Sequence, residues 1–137
     1  MAGFVRMSEA ASIGLHAMLM MGAQPESVHS NKRLAMSLRV SDAHLSKVLQ
    51  RLTREGLVAP IRGPAGGFTL GRQPDDISLL DIYEAIEGPY QEPECLLKEP
   101  VCNGDCFLSG AKDLSRQLRD QLAGKNLRDA AKTLECP

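Results

Sequence analysis

Three cysteines stand within twelve residues, Cys95, Cys102 and Cys106, separated by six and then three residues. A thiolate is a strong, soft anionic donor, so three of them on one pliable segment suit a zinc ion or an iron–sulfur cluster. Close thiols can also oxidise to a disulfide and be reduced again, which makes a metal-free thiol switch the third reading of the same residues. Pro93, Pro100, Asn103 and Gly104 lie between and beside the thiols, so this segment is expected to be a loop. Cys136 comes last as a ligand, because a terminal tail is usually mobile. The start, Met1 to Arg6, has no basic flank leading into a long apolar run, and the apolar stretch 13–23 is interrupted by His16 and too short to span a bilayer. The expected location is cytoplasmic, with no membrane partner. A reducing compartment disfavours a disulfide framework and gives weight to metal or redox chemistry.

The elements that must position this loop are legible from the rest of the chain. A length of 137 residues allows one compact fold unit with an appendage rather than two full domains. The net charge of −1 hides a division. Residues 1–74 carry nine Lys and Arg against four acids, a net of +5, and residues 75–137 carry seven against thirteen, a net of −6. A basic front half suits a polyanion, although uneven solvated faces also arise without one. Ser8 is placed to cap a helix running to about Ala23, and a second, short helix is expected after Asn31, with Leu34, Ala35 and Leu38 on one face. Ser41 caps a third helix, residues 42–55, whose Leu45, Val48, Leu49 and Leu52 face a core, with Gly56 as its C-terminal stop. The opposite face carries His44, Ser46, Lys47, Gln50, Arg51 and Arg54.

Two helices joined by a short turn, the second with a donor-rich outer face, can lay side chains along the major groove of DNA. Ordinary helical hairpins share that pattern. The next segment narrows it. Residues 57–61 and 68–70 read as two short strands around a tip, Arg62-Gly63-Pro64-Ala65-Gly66-Gly67, and a β-hairpin at this place is a wing. The glycines are explained by turn geometry and also allow a close approach to a DNA backbone. The tip is no phosphate loop, because it runs strand to strand and lacks the Gly-Lys-Ser/Thr signature. Lys47 and Arg51 are the main groove-facing candidates, with Ser41, His44 and Ser46 near them; Lys32 and Arg33 can reach phosphate, and Arg62 a minor groove or phosphate, beside Gly63 and Gly66. Ser78 caps a further helix through Glu87, ended by Gly88-Pro89. From Leu108, apolar residues recur at 111, 114, 118 and 122 until Gly124. That stripe fits a core-facing helix or a dimer seam, and a reader of two half-sites needs a dimer.

The expected fold is therefore mostly α with a small β-hairpin: a winged helix-turn-helix unit (residues 1–90), a cysteine loop (91–107), and a long C-terminal dimerisation helix with a tail (108–137).

The segments Val40 to Leu45, Glu55-Gly56-Leu57-Val58, Ile61 to Leu70, Ile77 to Ile82 and Ala85-Ile86-Glu87-Gly88-Pro89 resemble the IscR, NsrR and RsrR type of bacterial winged-helix transcription regulators. The likeness covers nearly the whole chain, and a cysteine cluster shortly after Glu87-Gly88-Pro89 is that group's iron–sulfur signature. The resemblance implies a homodimer on near-palindromic promoter DNA, whose binding changes when the cluster is lost, oxidised or nitrosylated. It favours an iron–sulfur cluster, 2Fe–2S ahead of 4Fe–4S, over zinc. Some relatives lack a cluster altogether. The thiol spacing departs from the group's usual five residues between successive cysteines. Ser109 stands where some relatives place a histidine ligand. In another branch the first helix of the partner subunit supplies ligands; His16 falls at such a histidine's position, Ser12 at that of an acidic ligand, and Glu9 is a nearby carboxylate. His16 is the preferred fourth ligand. Ser46 stands where some relatives carry an acidic base-contacting residue, which implies a different recognised sequence.

The function expected is transcription regulation by DNA binding under the control of an iron–sulfur cluster that senses redox, nitric oxide or iron–sulfur status. Alternatives are a cluster-free thiol-switch or zinc-containing repressor, and a small metalloprotein that works by protein docking. No carboxylate pair, Ser/His/Asp set or open metal-ligand pattern points to an enzyme, and no small-molecule substrate is implied.

Overall fold

Ser8 opens the first helix: its Oγ accepts the Ala11 N–H at 3.0 Å, and α1 runs Glu9–Ala23. The computed structural model describes residues 7–92, 95, 97, 99–103, 106 and 109–134. Apolar residues lie nearly all round α1, with Ala11, Ile13, Ala17, Met18 and Met21 buried, the pattern of a helix enclosed on several sides. It packs against α3 (Asp42–Arg54), α4 (Leu79–Glu87) and α6 (Leu127–Ala131). Two glycines let it approach. A Cβ at Gly14 would lie 3.1 Å from Ile86 Cγ1, and one at Gly22 would lie 2.8 Å from Leu127 Cγ.

The second helix, α2, is Asn31–Leu38. It begins one residue earlier than expected, because Ser30 takes the cap, accepting the Arg33 N–H at 3.1 Å. The third starts as expected: Ser41 Oγ accepts the His44 N–H at 3.1 Å, and Leu45, Val48, Leu49 and Leu52 are buried. Gly56, with φ 76°, follows the Glu55 cap in the left-handed region that favours glycine. Strands β1 (Val58–Ile61) and β2 (Gly67–Leu70) pair antiparallel, from Val58 opposite Leu70 to Ile61 opposite Gly67. The α1–α2 connection pairs with β2 through an isolated bridge: His29 and Phe68 exchange both backbone hydrogen bonds at 2.8 Å. This close approach leaves no room for a side chain at Gly67, whose Cβ would sit 2.3 Å from the His29 carbonyl oxygen.

A capping box starts α4. Ser78 Oγ accepts the Asp81 N–H and Asp81 accepts the Ser78 N–H, each at 3.0 Å. Leu80, Ile82, Tyr83 and Ile86 point into the core. Helix α5 spans Ser109–Gly124. Leu108, expected to begin its apolar stripe, lies outside the described residues. The stripe is only partly covered by this chain: Leu118 and Leu122 are half-buried, whereas Leu114 is 67% exposed. The fully buried position is Ser115, at 0%, because the helix turns that side toward Tyr90.

The C-terminal segment departs from the expectation of a tail. Asn126 Oδ1 accepts the Asp129 N–H at 2.8 Å and so caps α6. The Leu127 N–H donates to the Ile77 carbonyl at 2.8 Å and the Leu79 N–H to that of Lys125 at 3.0 Å. Leu127 is wholly buried. These bonds stitch the chain's end to the strand-like approach of α4 and close the core beneath α1. Among the described residues no helix is long and apolar enough to cross a membrane.

Leu127→Ala is expected to lower the free energy of unfolding by about 2–5 kcal/mol, the usual range for truncating an enclosed leucine, as urea denaturation would measure. A loss below about 0.5 kcal/mol, the range of ordinary surface changes, would show that α6 is not part of the folding unit.

Candidate nucleic-acid interface and cysteine loop

The turn between α2 and α3 is set by Arg39, which adopts φ 57°, while the Val40 N–H returns to the Ala35 carbonyl at 3.0 Å. Asn31 clips the two helices together: its Nδ2 donates to the Asp42 carbonyl at 3.3 Å, and its Oδ1 accepts from the Ser46 hydroxyl at 3.2 Å. Ser46 is thereby half-buried and engaged within the chain. Ser41 is occupied as a cap and His44 is half-buried beside it. Lys47 and Gln50 stand exposed on the outer face of α3. Gln50 lies one helical turn beyond Lys47, and its amide can both donate and accept at a base edge, a capacity that its place on a charged face conceals in the sequence. Arg51 is exposed too, yet its Nη1 donates to the Ile86 carbonyl at 3.0 Å, so its guanidinium reaches across to α4.

Lys32 and Arg33 are exposed in the first turn of α2, where no acidic residue balances them. A helix's positive end disfavours cations in its first turn; two of them together with the N–H groups of the helix start make a spot that attracts an anion such as a phosphate. At the wing, Gly63 has φ 107° and its carbonyl accepts the Gly66 N–H at 2.9 Å. A Cβ at Gly66 would lie 2.2 Å from the Ile61 carbonyl oxygen, so these glycines shape the tip that carries the exposed Arg62.

The cysteine loop is entered from a fixed point. The Tyr90 N–H donates to Glu84 Oε2 at 2.7 Å, its hydroxyl donates to the Ser115 carbonyl at 2.8 Å, and its ring lies 5.6 Å from that of Tyr83. Two residues on, Glu92 accepts from Arg116 at 3.2 and 3.3 Å. Those hydrogen bonds hold the Glu92 carboxyl below the usual carboxylate range. The pair therefore persists at neutral pH and is lost as acid takes the pH through that lowered value.

Beyond this anchor, Cys95 and Cys102 are exposed, Cys106 is half-buried, and none of the three forms a disulfide. Cys95 Sγ accepts the Leu97 N–H at 3.5 Å. Cys136 lies outside the described residues. His16 is exposed on α1, and its Nδ1 lies 2.7 Å from the Ser12 carbonyl oxygen. An Nδ1–H donor to that carbonyl leaves Nε2 as the ring's acceptor, the arrangement common in metal-binding histidines. The donor types, three thiols and an imidazole, fit a soft metal or cluster. Among the described residues no three potential ligands are gathered in space, so the fit rests on donor chemistry.

A helix pair with a clipped turn, an exposed outer face on the second helix and a hairpin beside it define a winged helix-turn-helix DNA-binding protein. The family model that matches residues 7–133 is Rrf2, described as an iron-dependent transcriptional regulator. The chain belongs to the Rrf2 family and is a DNA-binding transcription regulator, not an enzyme. It is 32% identical over 98 residues to the transcriptional regulator IscR of Xenorhabdus nematophila, an alignment spanning 70% of this chain and 60% of that protein. With the regulator NsrR of Shouchella clausii it shares 31% identity over 110 residues, 80% of this chain and 72% of the relative. The structure of CymR, described as the global cysteine regulator of B. subtilis, superposes with a TM-score of 0.84 at 27% identity, covering 96% of this chain and 99% of that one. For T. potens IscR the TM-score is 0.74 at 26% identity, with 93% and 87% covered.

Lys47→Ala is expected to weaken duplex binding and to reduce the slope of log affinity against log salt by about one if Lys47 meets a phosphate. Anisotropy titrations at several salt concentrations would measure both, and unchanged affinity would remove Lys47 from the interface.

Proposed function

We propose that this chain is a homodimeric regulator of near-palindromic promoter sites whose affinity for DNA is set by the state of Cys95, Cys102 and Cys106. Each α3 and wing would read one half-site, with Lys47 in the groove, Lys32, Arg33 and Arg62 at phosphates or the minor groove, and Ser41, His44, Ser46, Arg51, Gly63 and Gly66 shaping or flanking the contacts. The partly uncovered apolar stripe of α5 supports dimerisation through that helix. The 1–90, 91–107 and 108–137 division then describes roles, reading, sensing and, through α5, pairing, with α6 returning to close the core of the reading unit.

The observation that carries the sensing role is the attachment of the loop. Tyr90, five residues before Cys95, is bonded to Glu84 of α4, in the DNA-reading unit, and to Ser115 of α5, and Glu92 is bonded to Arg116 of α5, so a change of state at the thiols has a path along the chain to both helices. The three thiols, with His16 of the partner subunit, would hold an iron–sulfur cluster, 2Fe–2S ahead of 4Fe–4S, in keeping with the family's iron-dependent description. When bound, such a cluster supplies a centre that can gain or lose an electron, be nitrosylated, or be lost. This chain's part is to supply soft donors and to tie their placement to the helices.

A second reading is a metal-free thiol switch. The exposure of Cys95 and Cys102 favours it. Two thiols would give up two protons and two electrons to an oxidant such as hydrogen peroxide, which is reduced to water as the disulfide forms.

The test is the visible spectrum of protein purified without oxygen, with iron, sulfide and zinc quantified. The cluster reading expects brown protein with matched iron and sulfide. It also expects Cys102→Ala to be colourless, with an altered promoter affinity. Colourless protein holding zinc would make the site structural, and metal-free protein with three titratable loop thiols would favour the switch. Unchanged promoter affinity for Cys102→Ala would contradict cluster sensing, and a wild-type affinity that hydrogen peroxide leaves unchanged would contradict the switch.

A further inference from the structure

The last turn of α4 is a junction. Ile86 belongs to that turn, and its carbonyl is among the four a helix leaves without an internal partner. Arg51 from α3 supplies the donor at 3.0 Å. No basic residue of α4 lies in its own last turn, so the guanidinium is also the cation that the helix's negative end favours. From the N-cap of α1, the Ser8 hydroxyl donates to the Glu87 carboxylate. From the other side, Glu84 Oε2 receives the Tyr90 N–H at 2.7 Å, and the Tyr90 hydroxyl reaches the carbonyl of the wholly buried Ser115 in α5. Gly88, with φ 84°, ends the helix and turns the chain toward Tyr90. One helical turn is thus bonded to the recognition helix, to α1, and to the segment that leads into the cysteines.

We infer that Arg51 is a positioning residue, which fixes the recognition helix against α4 rather than reading bases, and that Tyr90 is its counterpart on the sensing side. The two form the strut through which the state of the cysteine loop reaches the DNA-reading face. The role of Arg51 follows from the fold alone; the role of Tyr90 rests on the sensing reading proposed above. A residue that grips DNA and one that aims the helix differ in measurable ways. Each phosphate contact adds close to one unit to the salt slope, whereas a cation that neutralises no phosphate adds none. A lysine at 51 keeps a charged donor for the Ile86 carbonyl, and a methionine keeps only the aliphatic stem.

The experiment titrates a promoter duplex, selected by the full-length wild-type chain from a random library, across a salt series. Arg51→Met should bind about ten-fold more weakly, the loss typical of one charged hydrogen bond, with the wild-type slope, and Arg51→Lys should recover most of that loss. A slope reduced by about one in Arg51→Met would make Arg51 a phosphate contact and overturn its positioning role, as would wild-type affinity. Glu84→Ala removes the acceptor of the Tyr90 N–H and with it the bond that joins the approach to the cysteines to α4. In the parent chain, Cys102→Ala should change affinity by a factor within the roughly 5–150-fold range of ordinary coupling. In the Glu84→Ala background the same substitution should change it by less than about three-fold. An undiminished effect of Cys102→Ala there would overturn the strut. No effect of Cys102→Ala in either background, together with no effect of hydrogen peroxide on the parent chain, would instead overturn the sensing reading and the role of Tyr90 with it, leaving Arg51 to be judged by its salt slope and lysine rescue.

Discussion

Everything else in the fold is arranged around the close packing of α1 against α3 and α4 at Gly14. A Cβ there would meet Ile86 Cγ1 at 3.1 Å and Val48 Cγ1 at 3.4 Å, so three helices share one point of contact where a hydrogen atom fits and a methyl group would crowd. Ile86 is therefore held from two directions, through its side chain by the core and through its carbonyl by Arg51. The recognition helix cannot shift relative to α4 without breaking that bond or opening the contact at Gly14. Packed interiors of this kind move between discrete arrangements rather than deforming smoothly, which is the property a regulator needs.

Electrostatics then selects what the positioned face can meet. The basic front half carries Lys32, Arg33, Lys47 and Arg62 on exposed positions of α2, α3 and the wing, while the acidic back half is used largely for pairing within the chain. Arg116 meets Glu92 and Arg128 meets Asp75. These exposed pairs contribute little to stability in water; they lie where the chain leaves the core toward the cysteines and where α6 returns to it.

Much of this was legible in the sequence because it depends on local rules. Serines at 8, 41 and 78 are caps in the structure, as their spacing to the following apolar residues implies, and the glycine-rich tip forms the turn of a two-stranded wing. What escaped depends on long-range partners. Asn31 looks like a helix start, but Ser30 takes the cap, and Asn31 is spent bridging α2 to α3. Arg51 shares its helix face with Lys47 in any wheel projection, and only the approach of α4 reveals the Ile86 carbonyl that claims its guanidinium. The residues after Gly124 carried a readable signal, Asn126 before Leu127, Ala130 and Ala131, yet a helix of five residues is too short for periodicity to separate it from a tail. The cysteines were legible as donors by type. Their gathering into a site depends on placement that spacing alone does not fix.

Whether thiol chemistry governs DNA binding is decided by an equilibrium isotherm for one anaerobic protein sample on its selected promoter duplex, repeated after chelation and again after peroxide treatment. Affinities are expected to differ between states on the order of ten-fold, within the range of ordinary coupling energies, and to return on reconstitution or reduction. Superimposable isotherms for all three states would contradict control by the cysteines.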